Sequence, residues 1–402
     1  MVAVLYGYSF FQRVVPSVLV EDLTSSFDVG LAAVGGLGGI FFLSMALAQL
    51  PIGTLLDRAG PRRIATAAAL ASVLGAVAFA SAPGIVLAGA GRLLLGLAAS
   101  VGFLGCLVVA TRVLPPSRFG LASGLAASVG MAGALLGQAP LRAAADAIGW
   151  RTSLLLSALL PLVLIVGCLL LLPRGGAPRT AAGAAPGAPD HRRREVFRRW
   201  PVWACGIVSA TLVLPVNVYA GLWAVPFLQD VRGFRPTIAA LAASSMLVGF
   251  AVGSPALGWL AARTGRPRPI LAGAFVTVLG VMVLIVYGPG LPGWLVGFAS
   301  FVAGVASGGM VLGFGLATTG IADHRRGLAF GMVNTVVLGT TGLAQQVVGA
   351  VLETTQTVWA TTPTMAYRLG FGLLVAAVFT GLLLLRAMPD PGGGSRDERR
   401  HG

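Results

Sequence analysis

The chain of 402 residues carries 56% hydrophobic and only 10% charged residues, with a mean hydropathy of +0.88. Soluble domains hold about 25% charged residues, so this balance excludes a soluble enzyme, a disordered chain and a collagen-like repeat. The net charge of +15 rests on 28 basic residues, all arginine, which sit in short gaps between apolar runs; that placement reads as topology signalling, not as a nucleic-acid surface.

Apolar runs fall near 2–20, 30–55, 64–82, 85–112, 119–141, 152–172, 200–228, 237–261, 270–287, 293–320, 328–352 and 367–388. A membrane helix needs about 20 apolar residues, so these twelve runs are expected to be spans 1 to 12. Lipid offers no water to backbone groups, which makes the spans helices. Leu154–Leu172 does not alternate in polarity, as a barrel strand would. The first run begins almost at Met1, lacks a basic lead and holds Arg13 in its middle. It therefore reads as span 1 and not as a cleaved signal. The longest polar stretch, 174–199, is rich in Pro, Gly and Arg. It is expected to be a flexible linker whose Arg192–Arg194 end rests near anionic headgroups. It divides the chain into six-helix bundles at 1–173 and 200–388, followed by a tail at 389–402.

With both termini placed inside, the inner segments hold 21 arginines and the outer segments 5, and Arg13 and Arg92 lie within helices. That bias predicts cytoplasmic termini; the Ala/Gly/Arg/Pro-rich composition fits a GC-rich bacterial genome, and the expected location is a bacterial inner membrane. Cys106, Cys168 and Cys205 lie in apolar runs without a CxxC pair, and His191, His324 and His401 fall in loops or the tail. Neither a disulfide framework nor a metal centre is expected. A phosphate loop would need a lysine, and the chain has none. No cofactor and no catalytic residues are expected.

The halves repeat. Gly53-Thr-Leu-Leu-Asp57-Arg58-Ala-Gly60-Pro-Arg62-Arg63 returns 205 residues later as Gly258 through Arg268, with Ala262 in place of the acid. Arg118 through Gly124 returns 207 residues later as Arg325 through Gly331, and the same offset carries Gln138 onto Gln345. Repeated halves of one orientation place a solute site at their interface near the midplane. On the segment Gly53–Arg63 and on Arg92-Leu-Leu-Leu-Gly96, the chain resembles the major facilitator superfamily along nearly its whole length. The resemblance implies an all-α membrane protein of twelve helices in two six-helix bundles, a secondary transporter working by alternating access. Span 5 has Gly130, Gly133 and Gly137 without the Gly-Pro core of the antiporter motif. Span 1, from Tyr6 through Arg13 to Pro16-Ser17, resembles the organic-anion and sugar-phosphate permease branches.

Arg13 lies roughly 16 Å along span 1, near mid-membrane. An isolated charge there costs about 2.5–3.5 kcal/mol on insertion scales, so Arg13 reads either as an anion-binding cavity residue or as a structural arginine bonding carbonyls. Arg92, seven residues into span 4, reads either as a second residue of that cavity or as a motif residue that braces helix contacts. No acid is expected at membrane centre, which favours an anionic or zwitterionic solute. Gln12, Gln138, Asn217, Tyr219, Asn334 and Gln345 are polar candidates for the same cavity. Gly53, Asp57, Arg58, Gly60, Arg62 and Arg63 read as a gate at the inner end of spans 2 and 3. The expected partners are a small-molecule solute, a coupled proton or other ion, and the bilayer. Transport of a drug or sugar, and solute sensing without transport, are the alternatives.

Overall fold

Every regular element among the described residues is helical. The computed structural model describes residues 1–102, 105–106, 119–172, 198–288, 290–319, 321 and 326–388; the side chains at 50, 53, 54, 57, 58, 119–124, 127, 326 and 387 lie outside that description. The linker, apart from its last two residues, and the tail also fall outside it.

Span 1 runs Val2–Val18 and then turns by 70° into the short helix Val20–Phe27. Pro16 removes a backbone donor one turn before the bend, which weakens the ladder there. Spans 2 and 3 form one helical run, Leu31–Ala80, broken at Gly60. Gly60 has φ 78° and ψ 157°, a conformation essentially open to glycine alone. Span 4 begins as Ile85–Ala99. Span 5 is Phe119–Leu136 followed by Ala139–Ile148, interrupted at Gln138. Span 6 is Trp150–Ser157 and Leu159–Leu171. Span 7 comprises Trp200–Leu214, a π-helical segment Pro215–Trp223, and Ala224–Asp230. Spans 8 and 9 are Pro236–Thr264 and Pro267–Tyr287. Span 10 is Gly293–Ser307 with Met310–Ala317, span 11 is Arg326–Thr357, and span 12 is Pro363–Leu384.

Nine helices among the described residues are long and apolar enough to cross a membrane, and the bent pair of span 1 makes a tenth. Span 11 extends past residue 352 to Thr357, so Glu353 lies in its last two turns. Glu21, Asp22 and Asp146 likewise lie in short helices at the ends of their spans.

Glycines set the closest helix crossings. A Cβ at Gly133 would collide with the Gly7 backbone where span 5 meets span 1, and one at Gly304 would collide with the Met246 backbone where span 10 meets span 8. Such contacts let helices approach without a hydrophobic drive from solvent. Among the nine spans found in the described residues, span 7 is the most enclosed: 89% of its apolar window is buried, against 28% for span 6, the most hydropathic of them.

The chain termini mark one end of the bundle as proximal; Met1 packs against Gly167 on span 6, and Arg268 at the start of span 9 donates to the Met388 carbonyl. Towards the opposite, distal end, span 2 seats directly on span 11. Gly39 meets Gly342, and Gly35 meets Gly349 and the Trp223 ring. The amide of Ala32 donates to the Glu353 carboxylate at 2.8 Å. The two halves are therefore in contact at the distal end.

Candidate functional site

Span 1 sets Gln12 beside Arg13, and span 4 brings Arg92 to the same level. Pro16 has no N–H, so the Gln12 carbonyl lacks its usual donor four residues on. Arg92 supplies one: its Nη1 donates to Gln12 O at 2.7 Å, while its Nε donates to Leu37 O at 3.2 Å. The Arg92 guanidinium lies 4.6 Å from the Phe41 ring centroid and 5.6 Å from that of Phe79, and the side chain is fully buried. Arg92 thus ties spans 1, 2 and 4 together. Only its Nη2 is buried without a hydrogen-bond partner.

Arg13 is held differently. Its Nη2 contacts the Met45 sulfur at 3.5 Å, and its guanidinium lies 4.0 Å from the Phe10 ring centroid and 5.9 Å from that of Phe42. Its Nε is buried and has no hydrogen-bond partner. Among the described residues no carboxylate forms an ion pair with either arginine. Arg13 therefore has unspent donors and an uncompensated charge, whereas Arg92 is largely committed to carbonyls. Gln12 Nε2 donates to the Tyr8 hydroxyl at 2.7 Å, which itself lies 3.4 Å from Ser157 Oγ.

A second cluster forms on span 7. Pro215 opens its π-helical segment, and such segments loosen the regular ladder and free backbone carbonyls. The repeat-related glutamines converge there from opposite halves. Gln345 Nε2 donates to Asn217 O at 2.9 Å, and Gln138 Nε2 donates to Ala220 O at 3.4 Å. Asn217 Nδ2 donates to Thr341 Oγ1 at 3.3 Å. The Oε1 atoms of Gln12, Gln138 and Gln345 are buried without partners. Three unfilled acceptors in an apolar interior are costly, and solute or water donors would satisfy them.

The remaining candidates lie elsewhere. The Tyr219 ring is fully buried in an aromatic cluster, 5.3 Å from Phe371 and 6.2 Å from Phe227, inside the second half. Asn334 is half-buried two turns before Thr341 on span 11 and is not joined to the other candidates by a hydrogen bond among the described residues. At the proximal end, Gly60 makes the reversal between spans 2 and 3, Arg62 is half-buried and Arg63 is exposed. The side chains at 53, 57 and 58 lie outside the described residues. Thr341, Met45 and Glu353 were not picked out from the sequence. A distinct groove of about 590 Å³ runs between spans 5, 8 and 10, lined by Leu135, Leu241, Trp294 and Phe298. It is mostly apolar, and Leu241, Trp294 and Phe298 face out of the bundle, so it opens on the outer, apolar surface.

A model of the Major Facilitator Superfamily matches residues 2–345 and again 224–399. The chain belongs to this superfamily. Its fold is the all-α membrane fold of twelve helices in two repeated six-helix bundles. Three solved structures share it: a bacterial homologue of the human lysosomal transporter Spinster in an inward-facing, occupied conformation (TM-score 0.73, 16% identity, 96% of this chain and 95% of that one); a D-xylose–proton symporter (0.73, 16%, 98% and 98%); and the nucleoside transporter NupG as its D323A mutant (0.77, 13%, 96% and 100%). At such identities the likeness is one of fold. A stretch of 59 residues is 41% identical to the multidrug resistance protein Stp of Mycobacterium tuberculosis, covering 15% of this chain and 11% of that protein's length.

Proposed function

We propose that this superfamily member is a secondary active or facilitative transporter of a small organic anion or zwitterion, working by alternating access. The carrying observation is Arg13, a guanidinium within a membrane span that has a free Nε and no carboxylate partner among the described residues. A half-buried cation within a membrane span and without a counter-charge favours a ligand that brings one. Gln12 adjoins Arg13 in sequence, and Gln138, Asn217 and Gln345 supply neutral polar contacts from both halves. In this reading residues 1–173 and 200–388 rock about the solute, joined by the 174–199 linker. The Asp57 motif forms the proximal gate, and Arg92 braces the first half.

Reconstitution into proteoliposomes tests the class directly. Uptake should be seen for carboxylates or amino-acid zwitterions and should change with a proton gradient if a proton is the coupled ion. Flux confined to neutral sugars or cationic drugs would overturn the anion reading; the short match to a multidrug resistance protein favours the drug alternative. Solute binding with no flux would indicate a sensor.

We further propose that the protein resides in a bacterial inner membrane with both termini cytoplasmic, so that the contacting distal end faces outward. Single cysteines at Arg62 and Arg193, in a chain freed of Cys106, Cys168 and Cys205, should be shielded from an impermeant thiol reagent added to intact cells. Cysteines at Ser26 and Thr357 should react. The reverse pattern would invert the topology.

A further inference from the structure

We propose that Glu353 is the latch of the distal gate, acting as a helix cap that one half supplies to the other; this rests on the alternating-access reading. The first amides of a helix have no intrahelical acceptor, and they carry the positive end of its dipole. Span 2 begins after Gly30 with no side-chain cap of its own. The missing acceptor arrives from span 11, where Glu353 Oε2 accepts from Ala32 N at 2.8 Å. Two glycines make the fit. A Cβ at Gly30 would overlap the Glu353 carboxylate, and one at Gly349, a turn earlier on span 11, would press on Leu31 O and Ala32. The contact joins residues 321 apart in sequence, one from each half. It must break whenever span 2 parts from span 11 at this end.

The internal repeat sharpens the assignment. The 207-residue offset that relates Gln138 to Gln345 also relates Asp146 to Glu353 and Arg142 to Gly349. In the first half the carboxylate is engaged on its own helix. Asp146 Oδ1 accepts from Arg142 Nη2 at 2.5 Å and from Nε at 2.9 Å, and it stays 60% exposed. Arg142 also binds Asp22 at 2.6 Å and the Val18 carbonyl at 2.8 Å. One repeat thus keeps its acid on its own helix, while the other, with glycine in place of arginine, extends it to the opposite half. The distal gate is latched on the span 2–span 11 side.

The test uses the full chain in lipid nanodiscs, spin-labelled at Asp28→Cys and Val358→Cys without the native cysteines, with flux measured in parallel. Glu353→Ala should raise the ratio of long to short inter-label distances by roughly tenfold, as loss of a charge-assisted hydrogen bond predicts. Glu353→Gln, which keeps an acceptor oxygen but loses the charge, should fall between. Gly30→Ala should shift the same ratio upwards by crowding the carboxylate. Asp146→Ala should leave it unchanged. An unshifted ratio in both Glu353→Ala and Gly30→Ala, or an equal shift in Asp146→Ala, would overturn the latch. Absence of flux in the wild type, with the distance shifts intact, would instead count against the transport reading.

Discussion

Replacing Arg13 by Gln is expected to weaken binding of an organic anion by about 2–5 kcal/mol, the range measured when one partner of a buried charge pair is removed. The protein should still fold. Arg13 makes a sulfur contact and ring contacts, and Gln retains part of that packing and a polar head. Arg13→Lys should restore only part of the affinity, because an ammonium lacks the planar fork of donors. A neutral analogue of the same solute should be far less sensitive to either change. Titration calorimetry on purified protein, alongside flux, reads both quantities. Wild-type anion affinity in a folded Arg13→Gln protein would make Arg13 a structural residue and remove the main support for an anionic substrate.

Arg92 should behave in the opposite way. Arg92→Leu removes two hydrogen bonds from a charged donor and two ring contacts. It also strands the Gln12 carbonyl, which Pro16 has already deprived of a backbone donor. The cost to stability should be about 2–4 kcal/mol, seen as a lower melting temperature and poorer yield. Arg92→Lys, able to reach one carbonyl but not both, should recover part of that loss. In the fraction that folds, solute affinity should stay near wild type. A stable Arg92→Leu protein with lost anion binding would place Arg92 in the solute site beside Arg13.

The contrast between these two arginines marks how far the sequence can be read. Both are single charges in apolar runs, and nothing in residue type separates them. The deciding feature is a carbonyl freed by Pro16, and it becomes relevant to Arg92 only when helices 80 residues apart pack together. The spans, the arginine asymmetry and the duplication were legible because each depends on composition or offset, which need no tertiary contact. Gln138 and Gln345 were legible as a pair through the repeat, although their acceptors are backbone carbonyls on span 7 that no side-chain pattern announces. Tyr219 was grouped with Asn217 for its polarity, yet its ring is claimed by Phe227 and Phe371 from the surrounding spans. The apolar run of span 11 ends at residue 352, one short of Glu353. The helix itself continues to Thr357 and carries the carboxylate against span 2.

The unequal enclosure of spans 6 and 7 has a consequence for biogenesis. Span 6, with mean hydropathy 2.9 over its apolar window, partitions into lipid on its own merits as it leaves the ribosome. Span 7 is less apolar, at 1.7, and in the mature protein nearly all of its surface is covered by other helices. Its loosened π turn exposes the carbonyls of Asn217 and Ala220, whose donors come from Gln345 and Gln138. Gln138 has already been synthesised when span 7 emerges, but Gln345 follows more than a hundred residues later. Span 7 therefore enters the bilayer with one of its two clasps missing, and the second half completes its assembly only after span 11 has been made.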